Sequence, residues 1–237
     1  MRKHALFLSL LLGVFPLALP VHAVNYTGEA WMDWTSLRLT GIPITMRETS
    51  QLTNVVIPPN NTPEESFQDW RDHTTALNIP PVTALSHADA NRVYASVSLA
   101  GPGVGSAQLY RSAVFTALET GKLTVSIDYS LQQSGVTSLP SDIESKSRAF
   151  LLLSNPSNVE ALRELSSAAG DRTQSGTLSL TESFQKGEGG VFATTLGVNV
   201  AERTGTVPLP DMLWPTLAGL IGIALWVERR RRHERFG

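Results

Sequence analysis

His73 and His87 are the only imidazoles between residues 24 and 206, and each has a carboxylate close by, Asp72 just before the first and Asp89 two places after the second. A hydrolase would pair one of them with a serine, but no Gly-x-Ser-x-Gly elbow is present. A metal site would take two or three ligands at i, i+2 or i, i+4 on a rigid element. His87 and Asp89 have the i, i+2 spacing of a strand, although the residues around them, Ala84 to Ala90, read as loop. Both histidines are therefore expected at the surface. Glu64 with Glu65, and Asp142 with Glu144, are carboxylate pairs of the kind that cleave glycosidic bonds. That chemistry needs two carboxyls roughly 5–9.5 Å apart across a cleft, commonly with aromatic platforms. Only Phe67 and Trp70 lie near, so the first pair reads as helix N-terminal charge and the second as solvated loop. No Asp-x-Asp-x-Asp calcium series occurs. The expectation is a chain that is not an enzyme, with no catalytic, cofactor-binding or metal-ligating residues and no cofactor.

Trp31, Trp34 and Trp70 are the large aromatics of this region. On a strand, Trp31 and Asp33 share one face while Met32 and Trp34 share the other, so at least one tryptophan belongs to the core. An exposed Trp31 would instead offer a ring on which a sugar stacks, as in a carbohydrate-binding module. Asn25-Tyr26-Thr27 and Asn60-Asn61-Thr62 fit the glycosylation sequon and are read as chance matches.

The elements that must position these residues are mainly strands. Leu123 to Leu131 alternates apolar and polar over nine residues, and Val93, Ala95, Val97 and Leu99 alternate against Tyr94, Ser96 and Ser98. The glycines at 101, 103 and 105 end that second strand in a turn. Further strands are expected at Gln108–Leu118, Arg148–Ser154, Gly176–Phe184 and Val191–Val200, with a turn at Lys186–Gly190. Trp31–Leu39 and Ile42–Glu48, broken at Gly41, read as a hairpin or one bent strand. Seven or eight strands with polar connections predict an all-β, antiparallel β-sandwich of jelly-roll type. One or two short helices are expected beside it. Ser157 to Glu160 has the form of a capping box, with Val159, Leu162 and Leu165 at helical spacing and Gly170 as a stop. Thr62 to Glu65 opens a weaker helix through Trp70 to about Ala76, between proline-containing loops at 57–61 and 78–81.

Both ends of the chain carry targeting information. Met1 to His4 is a basic n-region, Ala5 to Pro20 an apolar h-region, and Val21-His22-Ala23 a compact cleavage site. Residues 1–23 are thus expected to be a secretory signal peptide, cut between Ala23 and Val24. The exported segment 24–206 has 183 residues, enough for one good core. It holds 18 acidic and 12 basic residues, a formal charge of −6, which argues against nucleic acid as a partner. The chain has no cysteine, so neither a disulfide nor a thiolate site contributes. Ser and Thr supply 43 of those 183 residues, a composition suited to strands and turns.

At the C-terminal end, Met212–Val227 contains no charge and reaches about 24 Å as a helix at ~1.5 Å per residue. Trp214 and Trp226 lie near its two ends, where headgroups would be. Arg229, Arg230, Arg231 and Arg232 follow Glu228 and place the basic tail 228–237 on the cytoplasmic side, so 212–227 reads as a single transmembrane helix with a stop-transfer cluster. Just ahead stand Val207, Pro208, Leu209 and Pro210. This order over 207–237 resembles the PEP-CTERM class of bacterial sorting signals and is similar to its VPLPA variant, with Asp211 where that variant usually has Ala. The resemblance implies an exosortase-like membrane protease-transpeptidase that cuts near Val207–Pro210. Together with the leader it implies a Gram-negative source, a single-pass inner-membrane precursor met by signal peptidase, and a product at the cell surface or outside the cell. The function expected is a non-enzymatic surface or matrix protein associated with exopolysaccharide or biofilm. A carbohydrate-binding module and an exported hydrolase are the alternatives.

Overall fold

Alternation of buried and solvent-facing side chains begins at Tyr26 and runs without a break to Met32, so the first described strand is committed to a two-layer packing from its start. The computed structural model describes residues 25–61, 64–101, 103–135, 143–155, 158–166 and 171–202. The elements among them are strands only: β1 (Asn25–Gly41), β2 (Ile44–Ile57), β3 (Asn60–Asn61), β4 (Glu65–Phe67), β5 (His73–Ile79), β6 (Val82–Ala88), β7 (Arg92–Ala100), β8 (Val104–Ala117), β9 (Gly121–Gly135), β10 (Ile143–Ser154), β11 (Asn158–Ser166), β12 (Arg172–Phe184) and β13 (Gly189–Glu202). They make two antiparallel sheets. The first has the order β12-β9-β1-β7-β6-β5, and the second β11-β10-β13-β8-β2-β3, with β4 also paired to β2.

The core lies between the sheets. Met32, Val97, Leu123 and Ile127 face it from the first sheet, and Leu109, Phe115, Leu151 and Phe192 from the second, all at most 1% exposed. Each such side chain contributes about 1.5–3 kcal/mol by leaving water, and in a chain without cysteine nothing covalent adds to this. The chain passes from one sheet to the other at Gly41, whose φ of +106° suits glycine; a Cβ there would lie 2.0 Å from the Lys122 carbonyl oxygen. β1 is irregular between Asp33 and Arg38, where its register against β9 shifts. Ser36 bridges the bulge, its hydroxyl donating to the Asp33 carbonyl and accepting the Asp128 amide.

Four expectations are corrected. The helix expected from Ser157 is strand β11, paired along its length with β10 from Ser154↔Asn158 to Lys146↔Ser166. The same residues that space Val159, Leu162 and Leu165 helically also alternate, placing Leu162 and Glu164 on one face, and a long partner strand satisfies more backbone than an isolated turn would. The helix expected after Thr62 is replaced by β4, a loop carrying Trp70, and β5. Trp70 is held there by its indole N–H donating to the Ser112 carbonyl at 3.0 Å and by an edge-on contact with Trp34. The segment around His87, expected as loop, is strand β6, and the hairpin β5–β6 turns at Pro80-Pro81. Trp31–Leu39 and Ile42–Glu48 belong to strands in different sheets, so they are not a hairpin. Their break at Gly41 is where the sequence placed it.

Candidate functional site on the outward face of the first sheet

Cross-strand register aligns one residue from each of six strands in a single row on the outward face: Ser175, Ser130, Trp31, Tyr94, His87 and Thr74. Strands lie about 4.8 Å apart, so the row spans roughly 24 Å. Trp31 and Tyr94 are half-buried and adjacent at its middle, while Ala30, Met32, Val93 and Ala95 on either side point into the core. Polar groups flank these rings. Glu29 stands opposite Ser96 and Gln132, and Asp33 opposite Arg92 and Asp128. The Arg92 guanidinium lies over the Trp31 ring at 5.0 Å. His87, Asp89, Asn91, Arg92 and Tyr94 enclose an open cleft of about 420 Å3 at the β6–β7 end of the face.

Asp89 builds the tight turn from β6 to β7. One carboxylate oxygen accepts the amides of Asn91 and Arg92, each at 2.7 Å, and the other lies 3.3 Å from His87 Nε2. Partial burial pushes the Asp89 carboxyl up, but the two amides and His87 together hold it below its ordinary value. Asp33 is held low chiefly by the Thr35 hydroxyl, with Arg92 a smaller influence. Burial raises the Tyr94 phenol. The face therefore presents two neighbouring rings, one guanidinium and, in Asp33 and Asp89, two carboxyls held below their ordinary values. That is an acceptor-rich surface with a flat apolar centre.

His87 also meets a hydroxyl, with Thr74 Oγ1 2.7 Å from Nδ1. Thr74, His87 and Asp89 form a hydroxyl–imidazole–carboxylate chain that the sequence spacing did not reveal, because β5 was not expected as a strand. A triad also needs N–H donors aimed at a substrate oxyanion, and the two nearest turn amides are already taken by Asp89. His73 makes no such chain. Glu65 and Thr75 Oγ1 both approach its Nε2, and Thr75 is only 5% exposed. Glu64 is exposed in the loop before β4, Glu144 belongs to β10, and Asp142 lies outside the described residues. Among the described residues no three of His, Asp and Glu converge as ligands for a metal ion.

Beneath the cleft Arg111 is buried inside the sandwich, 1% exposed. Its Nε donates to Gln51 Oε1 at 2.8 Å, one terminal nitrogen to the Asp89 carbonyl at 3.0 Å, and the other to the Arg71 carbonyl at 3.5 Å. The guanidinium also stands 4.9 Å from the Trp34 ring centre. Burial pushes its pKa down to about 10, against the pull of Asp89 and Asp72. Arg111 fastens the Asp89 turn from below and so positions the outward cleft. Its place was legible in principle, because it shares strand parity with Leu109 and Ala113.

Ala23 and Val24, Val207 to Pro210, and Arg229 to Arg232 all lie outside the described residues. Among those described, no helix is long and apolar enough to cross a membrane. No protein-family model matches the chain, and no curated protein is similar to it by sequence.

Proposed function

We propose that this chain is an exported, non-enzymatic cell-surface or extracellular-matrix protein, sorted and processed through its C-terminal segment and associated with exopolysaccharide in a biofilm. The observation that carries the reading is the occurrence, in one chain, of a leader ending at Ala23 and a tail ordered as Val207–Pro210, uncharged Met212–Val227 and Arg229–Arg232. On this reading signal peptidase cuts before Val24. The tail then halts in the inner membrane as a single transmembrane helix with its arginines cytoplasmic. Val207–Pro210 lies at the outer face, where its prolines keep the backbone extended for an exosortase-like protease. The sandwich between the two signals is of jelly-roll type. Its strands β7 to β10, and again β11 to β13, alternate between the sheets, which favours that assignment.

The test is processing in a host that has an exosortase. Replacing Pro208 and Pro210 with Ala should leave full-length protein in the membrane. Neutral residues at Arg229–Arg232 should release protein that still carries Trp226. A proline variant processed like the parent would reduce the tail to a plain anchor.

A second reading is favoured by Trp31, half-buried on the outward face beside Tyr94, Arg92 and Glu29. It makes this face a glycan-binding surface, with sugar rings on Trp31 and carboxylates accepting their hydroxyls. Affinity electrophoresis in the host's exopolysaccharide should show Trp31→Ala binding about tenfold more weakly, the loss expected for one stacking ring of roughly 1.4 kcal/mol. Equal retardation of parent and variant would refute it. Shortening of the polysaccharide by the parent, lost in Thr74→Val, would point instead to an exported hydrolase.

A further inference from the structure

We infer that β12 is a self-pairing edge through which two copies of this chain join their first sheets into one. Each sheet has two edges, and three of the four are guarded. β5 has seven residues and runs into Pro80-Pro81, β3 and β4 are two and three residues long beside Glu64 and Glu65, and β11 carries Glu160, Arg163 and Glu164. β12 has thirteen residues, and its stretch from Thr173 to Thr181 holds neither charge nor proline. Among the described residues no strand pairs with its outer side.

The sequence of β12 complements itself. An antiparallel pair with its twofold axis at Thr177 sets Thr173 opposite Thr181, Ser175 opposite Ser179 and Arg172 opposite Glu182, and each of these pairs occurs twice. The parity also agrees. Leu178 and Leu180 face the core while Thr173, Ser175, Thr177 and Ser179 are exposed, so outward residues meet outward residues and the core faces stay aligned. No residue has to change face, and the closing contact is a charge pair at each end. The resulting dimer has a continuous twelve-stranded sheet with both Trp31 rows on the same side. This arrangement holds whether or not those rows bind glycan.

The full-length chain in detergent micelles provides the test. Because the chain has no cysteine, oxidation of Thr177→Cys can link copies only through that position, next to the axis. It should yield a covalent dimer, whereas Thr83→Cys on β6 should not. By light scattering the parent should be dimeric and Thr177→Lys monomeric. Arg172→Glu should weaken the dimer about tenfold, since two attractive cross-strand pairs become repulsive, and Arg172→Glu with Glu182→Arg should restore it. A monomeric parent, equal linking at positions 83 and 177, or a dimer indifferent to these variants would overturn the proposal.

Discussion

Arg111→Met removes a charge from inside the sandwich core while keeping most of the volume of the side chain. A buried acceptor, Gln51 Oε1, and a part-buried one, the Asp89 carbonyl, lose their donor, at about 1–3 kcal/mol each for an unsatisfied group. The Arg71 carbonyl is 3.5 Å away and adds little. Loss of the contact with the Trp34 ring costs about 1 kcal/mol more. Against this, the variant no longer buries a guanidinium. A pKa pushed from 12.5 to about 10 puts that burial cost on the order of 3 kcal/mol. The balance is a loss of about 2 kcal/mol, small because the two sides nearly cancel. Urea unfolding of the full chain in detergent, followed by tryptophan emission, should show a lower midpoint at unchanged slope. A second readout separates position from mere stability. In native conditions the Asp89 turn, no longer fastened from below, should give faster amide exchange at Asn91 and Arg92. A variant as stable as the parent or more so, with those amides unchanged, would refute the reasoning, since it would mean that apolar filling outweighs the bonds.

Alkaline pH should act through Tyr26, whose phenol is buried against Ser145 and pushed up to about 12 by that burial. A group with a raised folded pKa lends stability that is complete below its unfolded value near 10 and is lost as pH rises toward 12, here at most about 3 kcal/mol. Arg111 changes in the opposite sense over the same range, so the comparison to make is parent against Tyr26→Phe. The variant should start slightly less stable and fall less steeply above pH 10 in urea titrations, and parallel curves would contradict the assignment. Gly41→Ala should cost roughly 3 kcal/mol or more, because φ is +106° and the new methyl meets the Lys122 carbonyl that also accepts the Ile42 amide. Gly187→Ala, at φ +81° with nothing within 4 Å, should cost only about 1–2 kcal/mol when both variants are compared with the parent by thermal melting; equal losses at both positions would remove the steric argument.

Period-two alternation made most of the central strands legible, and it did so where one face is core and the other solvent, as in β7 and β9. It failed in β2 and at the β5–β6 hairpin for a physical reason. The inward residues of those strands include the buried polar side chains Gln51, Thr53, Thr75 and Ser86; Gln51 Oε1 accepts from Arg111 on the adjacent strand β8, and the other three find partners across the sandwich. Thr53 bonds Thr75 at 2.8 Å and Ser86 donates to the Gln108 carbonyl at 2.8 Å. A pattern search that equates inward with apolar cannot see such a strand. β11 failed in the converse way, since its apolar spacing fits helix and strand alike and what decides is its pairing with another strand, β10.

The candidate site was hidden by the same blind spot. Trp31 and Tyr94 could each be placed on an outward face from their own strands, but nothing local says that β1 and β7 are neighbours, or that β6 and β5 continue the row to His87 and Thr74. The turn and the loops beside that row meet at Arg111. The guanidinium reaches from β8 to the Asp89 turn and to the loop ahead of β5, and it packs on Trp34 within the bulge. One buried cation thus links the features that sequence periodicity left unexplained: the break in β1, the Trp70 loop, and the turn that opens the cleft. A charged residue at an inward position of an otherwise apolar strand is costly unless several partners converge on it. An arginine at position 111, between the inward Leu109 and Ala113, therefore requires that distant loops meet beneath that point.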